Sequence, residues 1–86
     1  MQEKIYEKVS VITLYTKENG INMPLKLRWH KKLFLLTKLG YHHKYREGKT
    51  LIHIFSVSNS DIAFRLEFNT DTLSWILMEV SDGITS

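Results

Sequence analysis

Residues 25–30 read Leu-Lys-Leu-Arg-Trp-His, and this strict two-residue alternation constrains the fold more than any other stretch of the chain. Successive side chains of an extended strand point to opposite faces. Leu25, Leu27 and Trp29 therefore share an inner face, and Lys26, Arg28 and His30 share a cationic outer one. Pro24, which has no amide proton for a ladder, stands at the entrance of this strand, where a strand start or an edge tolerates it. Proline and lysines together read as edge protection.

The same period recurs on both sides. A first strand is predicted over residues 4–16, with Val9, Val11, Thr13 and Tyr15 on one face and Ser10, Ile12 and Leu14 on the other. Glu18-Asn19-Gly20 ends it, because Asn and Gly accept positive φ. After strand two, His30-Lys31-Lys32 is short and polar enough for a tight hairpin. Leu33–Leu39 follows as strand three; it is also the best helix candidate, but its shortness and the preceding turn favour a strand. Gly40 marks a bulge or sharp bend. Tyr41–Arg46 alternates again, and Gly48 supplies the left-handed position of the next turn. Strands four (Thr50–Val57), five (Ile62–Phe68) and six (Leu73–Val80) are separated by turns at Ser58–Asp61 and at Asn69-Thr70-Asp71. The tail SDGITS is expected to fray. Six short strands in order predict an all-β fold: a six-stranded antiparallel meander curled into a partly open, SH3-like barrel. At 86 residues the chain is a single small β domain, residues 1–86, with a thin core and little room for a deep cleft.

Charge is distributed unevenly. Residues 26–49 carry eight Lys or Arg against Glu47, a net of +7, whereas residues 50–86 carry −4 and residues 1–25 are neutral. Such a split produces a directed field that steers charged partners. The basic segment also holds three of the four histidines, with Trp29, Tyr41 and Tyr45 set among the cations. Cations that meet phosphates and flat rings that stack on bases are what a nucleic acid requires of a surface. The candidate contact residues are Arg28, His30, Lys31, Lys32, Tyr41, His42, Lys44, Tyr45, Arg46 and Lys49. Trp29, sharing a face with Leu25 and Leu27, is expected in the core.

Other chemistries find little support. With no Cys, disulfides and thiolate metal sites are excluded. His42 and His43 are neighbours and point to opposite faces. His43 and His53 are the expected cross-strand partners, read as a stacked or hydrogen-bonded pair rather than a zinc site, since no third ligand stands at motif spacing. Neither a nucleophile elbow, nor a phosphate-cradling glycine loop, nor a telling pair of carboxylates occurs, so no enzyme, cofactor or metal is expected. The start, MQEKIYEK, lacks the apolar core of a signal peptide and no run reaches membrane-spanning length, which predicts a cytoplasmic protein without membrane association.

The succession of Pro24, Leu27-Arg28-Trp29, an apolar strand ending in Gly40, a basic segment, Phe64–Phe68 and the closing Leu73–Val80 resembles uncharacterised small β-domains of bacteria. In these, W-x-G-x-x-Y opens a hairpin and L-x-x-(x)-W-x-L closes the chain, and some are encoded beside accessory proteins of translesion DNA synthesis. The chain departs at the hairpin, where His30-Lys31-Lys32 stands in place of a glycine turn. The resemblance spans residues 9–80; it implies a barrel-like fold and work near DNA, and no catalytic residue. The function expected is a non-enzymatic nucleic-acid-binding module with DNA or RNA as partner. The alternative is a protein-interaction or homodimerising adaptor using the face or edge of strand six, where Ile76, Met78 and Val80 alternate with Trp75 and Leu77.

Overall fold

The computed structural model describes residues 2–18 and 20–81, which form one open antiparallel sheet. Its strands are β1 (Gln2–Thr16), β2 (Gly20–Trp29), β3 (Lys32–Leu35), β4 (Lys38–Glu47), β5 (Thr50–Ser58), β6 (Ala63–Asn69) and β7 (Ser74–Ser81), in the order β3-β2-β1-β7-β6-β5-β4. The all-β antiparallel expectation holds, with seven strands instead of six. The run predicted as one strand over Leu33–Leu39 is broken at Leu36-Thr37. Leu36 turns into the core while its N–H donates to the Leu25 carbonyl at 2.9 Å, and the Thr37 N–H donates to the Ser58 carbonyl at 3.0 Å. The chain thus steps from β3 to the opposite margin of the sheet, and the basic stretch after Leu36-Thr37 becomes a strand of its own.

A simple meander in chain order is not what forms. Two meanders, β1-β2-β3 and β4-β5-β6-β7, are joined by pairing of the first strand with the last. β1 is long enough to serve both. Its first half, Gln2–Val9, pairs with β7, and its second half, Ser10–Thr16, pairs with β2. β3 and β4 are the margins, unpaired with each other among the described residues. No helix of the described residues is long and apolar enough to cross a membrane.

The core lies between the inner faces of the two meanders. The rung Val11–Leu27–Phe34 of the first packs with Phe55, Val57, Phe64, Leu66, Phe68, Trp75 and Leu77 of the second, and Leu36 joins them. Burying each such side chain contributes about 1.5–3 kcal/mol. Period two places Ile62, Phe64, Leu66 and Phe68 on the inner face of strand five; Phe64, Leu66 and Phe68 are in this cluster and Ile62 packs against it, while β7, apolar on both faces, buries Trp75 and Leu77 there.

Bulges move several residues from their expected places. The β1–β2 ladder passes from Ile12↔Lys26 directly to Thr13↔Pro24, so Leu25 is the extra residue. It is pushed outward, and Pro24, expected at an edge, is fully buried instead. A bulge leaves one ladder position unpaired, and there a residue without an N–H costs little. β2 lies between β1 and β3, so its cations, Lys26 and Arg28, do not guard an edge. Gly40 is a second extra residue, between Leu39↔Val57 and Tyr41↔Ser56, as its position predicted. The turns follow the sequence closely. His30 and Lys31, both at positive φ (53° and 64°), make the two-residue hairpin of β2–β3, as a type I′ turn requires. Gly48 takes φ 64° in the β4–β5 turn. The Asn59 and Asn69 carboxamide oxygens each accept two backbone N–H bonds and shape the last two turns. Asn19 and residues 82–86 lie outside the described residues; Ser81, the first residue of the tail expected to fray, instead ends β7, paired with Gln2 and Ala63.

Candidate functional site

The ten candidate residues divide between two parts of the sheet. Arg28 projects from the outer face of β2, His30 and Lys31 form the β2–β3 turn, and Lys32 opens β3. Tyr41, His42, Lys44, Tyr45 and Arg46 belong to β4, and Lys49 to the turn after it. In the hydrogen-bonded order, β1, β7, β6 and β5 stand between the two groups. The +7 segment is therefore split by the fold.

The β4 group is the richer one. Every residue from Lys38 to Lys49 is exposed, because β4 has a partner on one side only. Its ladder with β5 sorts the side chains. Ser56 and Ile54 lie on the outer face, and opposite and beside them Tyr41, His43 and Tyr45 form a row. The ring centroids are 5.0 Å apart for Tyr41–His43 and 6.2 Å for His43–Tyr45. Tyr41 and Tyr45 remain 54% and 42% exposed. The Gly40 bulge shifts the alternation by one, which brings Lys38 onto the same face as the row. Beneath it, Ile52 and Ile54 are buried although they point away from the main core. Burial first, then the charges of Glu67 and Glu47, raises the Tyr45 hydroxyl above its ordinary pKa of 10.0, so it stays a neutral donor.

The other face of β4 carries His42, Lys44 and Arg46. His42 lies flat on Phe55, with centroids 4.2 Å apart and planes 6° from parallel, and its Nε2 is 2.9 Å from Nδ1 of His53. One imidazole N–H donates to the bare nitrogen of the other. Burial, then Lys44 and His43, lowers the His42 pKa; burial, then His42 and Lys44, lowers that of His53. The sequence reading of a stacked, hydrogen-bonded histidine pair is correct in kind but names the wrong member. The hairpin register pairs His43 with Ile54 and Lys44 with His53, which leaves His42 as the diagonal neighbour. Its ring is tied to the core, so His43, absent from the candidate set, is the histidine in the exposed row. Among the described residues no group of three or more His, Cys, Asp or Glu is arranged to hold a metal ion.

The β2–β3 group is partly neutralised. Trp29 packs against the core, as expected, while its Nε1–H donates to Glu7 Oε1 at 3.0 Å. His30 stacks on Trp29 at 4.5 Å and its Nε2 is 3.3 Å from the same carboxylate oxygen. Lys32 Nζ lies 5.9 Å over the Phe34 ring. Arg28, Trp29, His30 and Glu7 line a shallow open groove of about 360 Å3. Glu7 comes from the neutral start of the chain, so only tertiary structure brings this acid to the basic hairpin.

The edge proposed for strand six is not available. β7 is paired on both sides, with β1 and with β6, and Trp75 and Leu77 are buried. Comparison with known protein families, curated proteins and solved structures finds no match to the chain.

Proposed function

We propose that this protein is a non-enzymatic module that binds single-stranded nucleic acid along β4. The observation that carries this reading is the row Tyr41–His43–Tyr45, three exposed rings at alternate positions of a strand whose free margin carries Lys38, Lys44 and Arg46, with Lys49 in the turn beyond it. Bases stack on such rings at about 1–3 kcal/mol each without regard to sequence, and cations on both sides of the strand meet the phosphates. A single strand fits better than a duplex, whose bases are already stacked on each other. The resemblance to bacterial β-domains encoded near DNA-synthesis accessory proteins points the same way, towards DNA. Arg28, His30, Lys31 and Lys32 belong to a separate hairpin and would extend the site only for a longer strand. A fluorescent oligonucleotide titrated across a salt series tests the reading. Micromolar binding that weakens steeply with salt and is lost on Tyr41→Ala/Tyr45→Ala supports it; binding indifferent to salt up to half-molar, or none at low salt, overturns it.

A further inference from the structure

The first meander turns one face of β1, β2 and β3 to solvent, and its side chains sort into rungs. Ile12, Lys26 and Leu35 form one rung, and Ser10, Arg28 and Leu33 the next. Leu27, between the two cations, is buried on the opposite face, so Lys26 and Arg28 stand outward on the middle strand with aliphatic side chains beside them. Ile12 is 56% exposed, Leu33 53% and Leu35 56%. Ile12, Lys26, Arg28 and Leu33 line a shallow groove of about 120 Å3. Among the described residues no hydrogen bond or ion pair engages the side chain of Lys26 or Arg28. Exposed aliphatic side chains gathered on one face mark an interaction surface.

We infer that this face binds an acidic amphipathic helix of another protein, lying along β2. The occupant follows from where the charges stand. Covering the aliphatic side chains also covers Lys26 and Arg28, and a cation removed from water needs a carboxylate. A wholly apolar partner supplies none. A second copy laid on the same face brings the two cations against themselves. A lipid surface takes apolar residues at the centre and cations at the rim, the reverse of this arrangement. Nucleic acid finds phosphate contacts here but no row of exposed rings, unlike β4. A helix meets both the width and the charge. Its diameter of about 10 Å matches the two strand spacings, about 9.6 Å, from β1 to β3. Carboxylates at i and i+4 are about 6 Å apart along its axis, and Lys26 and Arg28 about 6.8 Å apart along their strand. Leucines at i+1 and i+3 then fall symmetrically on either side of the acidic stripe, one towards Ile12 and the other towards Leu33 and Leu35.

Titration with a stapled, Ala-based helical peptide of about fifteen residues that carries Glu-Leu-Ala-Leu-Glu at its centre, followed by backbone amide shifts in NMR, tests the inference. Micromolar binding with shifts confined to β1–β3 is expected. Lys26→Glu/Arg28→Glu is expected to weaken it at least tenfold with an unchanged circular dichroism spectrum, and a peptide with Lys in place of both Glu should restore binding to that variant. Leu33→Ser/Leu35→Ser, at exposed positions that leave the core intact, should weaken binding at least tenfold as well. Tyr41→Ala/Tyr45→Ala should leave it unchanged, so the outcome is separate from that of nucleic-acid binding along β4. No binding at millimolar peptide overturns the inference, as do shifts centred on β4 or equal affinity of the wild type for the Lys peptide. Capture by phosphatidylserine vesicles without peptide binding overturns it in favour of a lipid surface, and dimerisation lost on Leu33→Ser/Leu35→Ser without peptide binding overturns it in favour of a second copy.

Discussion

β4 and the second half of β1 belong to the two different meanders of the same sheet, and they are built in opposite ways. β4 keeps three cations and an acid among ten exposed residues, and it is anchored from below by His42 lying on Phe55. Residues 10–16 of β1 carry no charge, and the inward-facing Val11 holds them to Leu27 and Phe34. The difference teaches what charge adds to a strand. A cationic margin resists a second strand like itself and favours an anionic ligand, whereas an uncharged stretch has no such electrostatic preference.

The largest expected effect breaks the anchoring of β4. Phe55→Ala removes the ring under His42 from a fully buried position and should cost about 3–5 kcal/mol in chemical denaturation. Hydrogen exchange should then rise in β4 more than in residues 10–16; equal loosening would mean that the two strands do not differ in this way. Next, Lys44→Glu/Arg46→Glu/Lys49→Glu should lower oligonucleotide affinity at least tenfold and flatten its salt dependence, whereas Lys26→Glu/Arg28→Glu should change it much less. If the second pair has the larger effect, the site belongs to β2 and not to β4.

A pH series sharpens the same comparison. The pKa values of His42 and His53 are lowered in the fold from the ordinary 6.5, so below that pH the unfolded chain binds more protons than the folded one. Stability should be full above about pH 6.5 and fall as pH drops through the lowered values, and His42→Gln/His53→Gln should flatten the decline. A decline that persists unchanged in that variant would assign it to other groups. The smallest effect is expected on β1: Ile12→Lys should change the stability of the isolated protomer by no more than about 0.5 kcal/mol, because the side chain is mostly in water. A larger loss in dilute thermal unfolding would mean that Ile12 is covered.

Much of the fold was legible. Alternating runs located most of the strands, and Gly40, Gly48 and the His30-Lys31-Lys32 hairpin stood where the chemistry of turns puts them. The inward residues of β6 followed from period two, whereas β7, apolar on both faces, did not show in sequence which face would be buried. The misplacements share one cause. At Leu25 a single extra residue reverses the alternation, so Leu25 faces out and Pro24 faces in, and nothing local in Met-Pro-Leu-Lys announces it. The histidine pair was missed by one register step for the same reason: a shift of one residue in the β4–β5 ladder exchanges which of two adjacent histidines faces the core.

By itself the sequence determined what depends on neighbours along the chain: an antiparallel all-β domain, where its turns fall, and a segment of concentrated positive charge. Tertiary structure alone decided what depends on residues far apart. It joined the first strand to the last, enclosed the expected edge strand β7, divided the basic segment between two hairpins and set Glu7 against Trp29 and His30. The physical reason is that backbone hydrogen bonds are alike for every sequence, so a strand carries no mark of its partner. The partner is chosen by which arrangement buries Leu27, Phe55, Phe64 and Leu77 together, and that choice belongs to the whole chain.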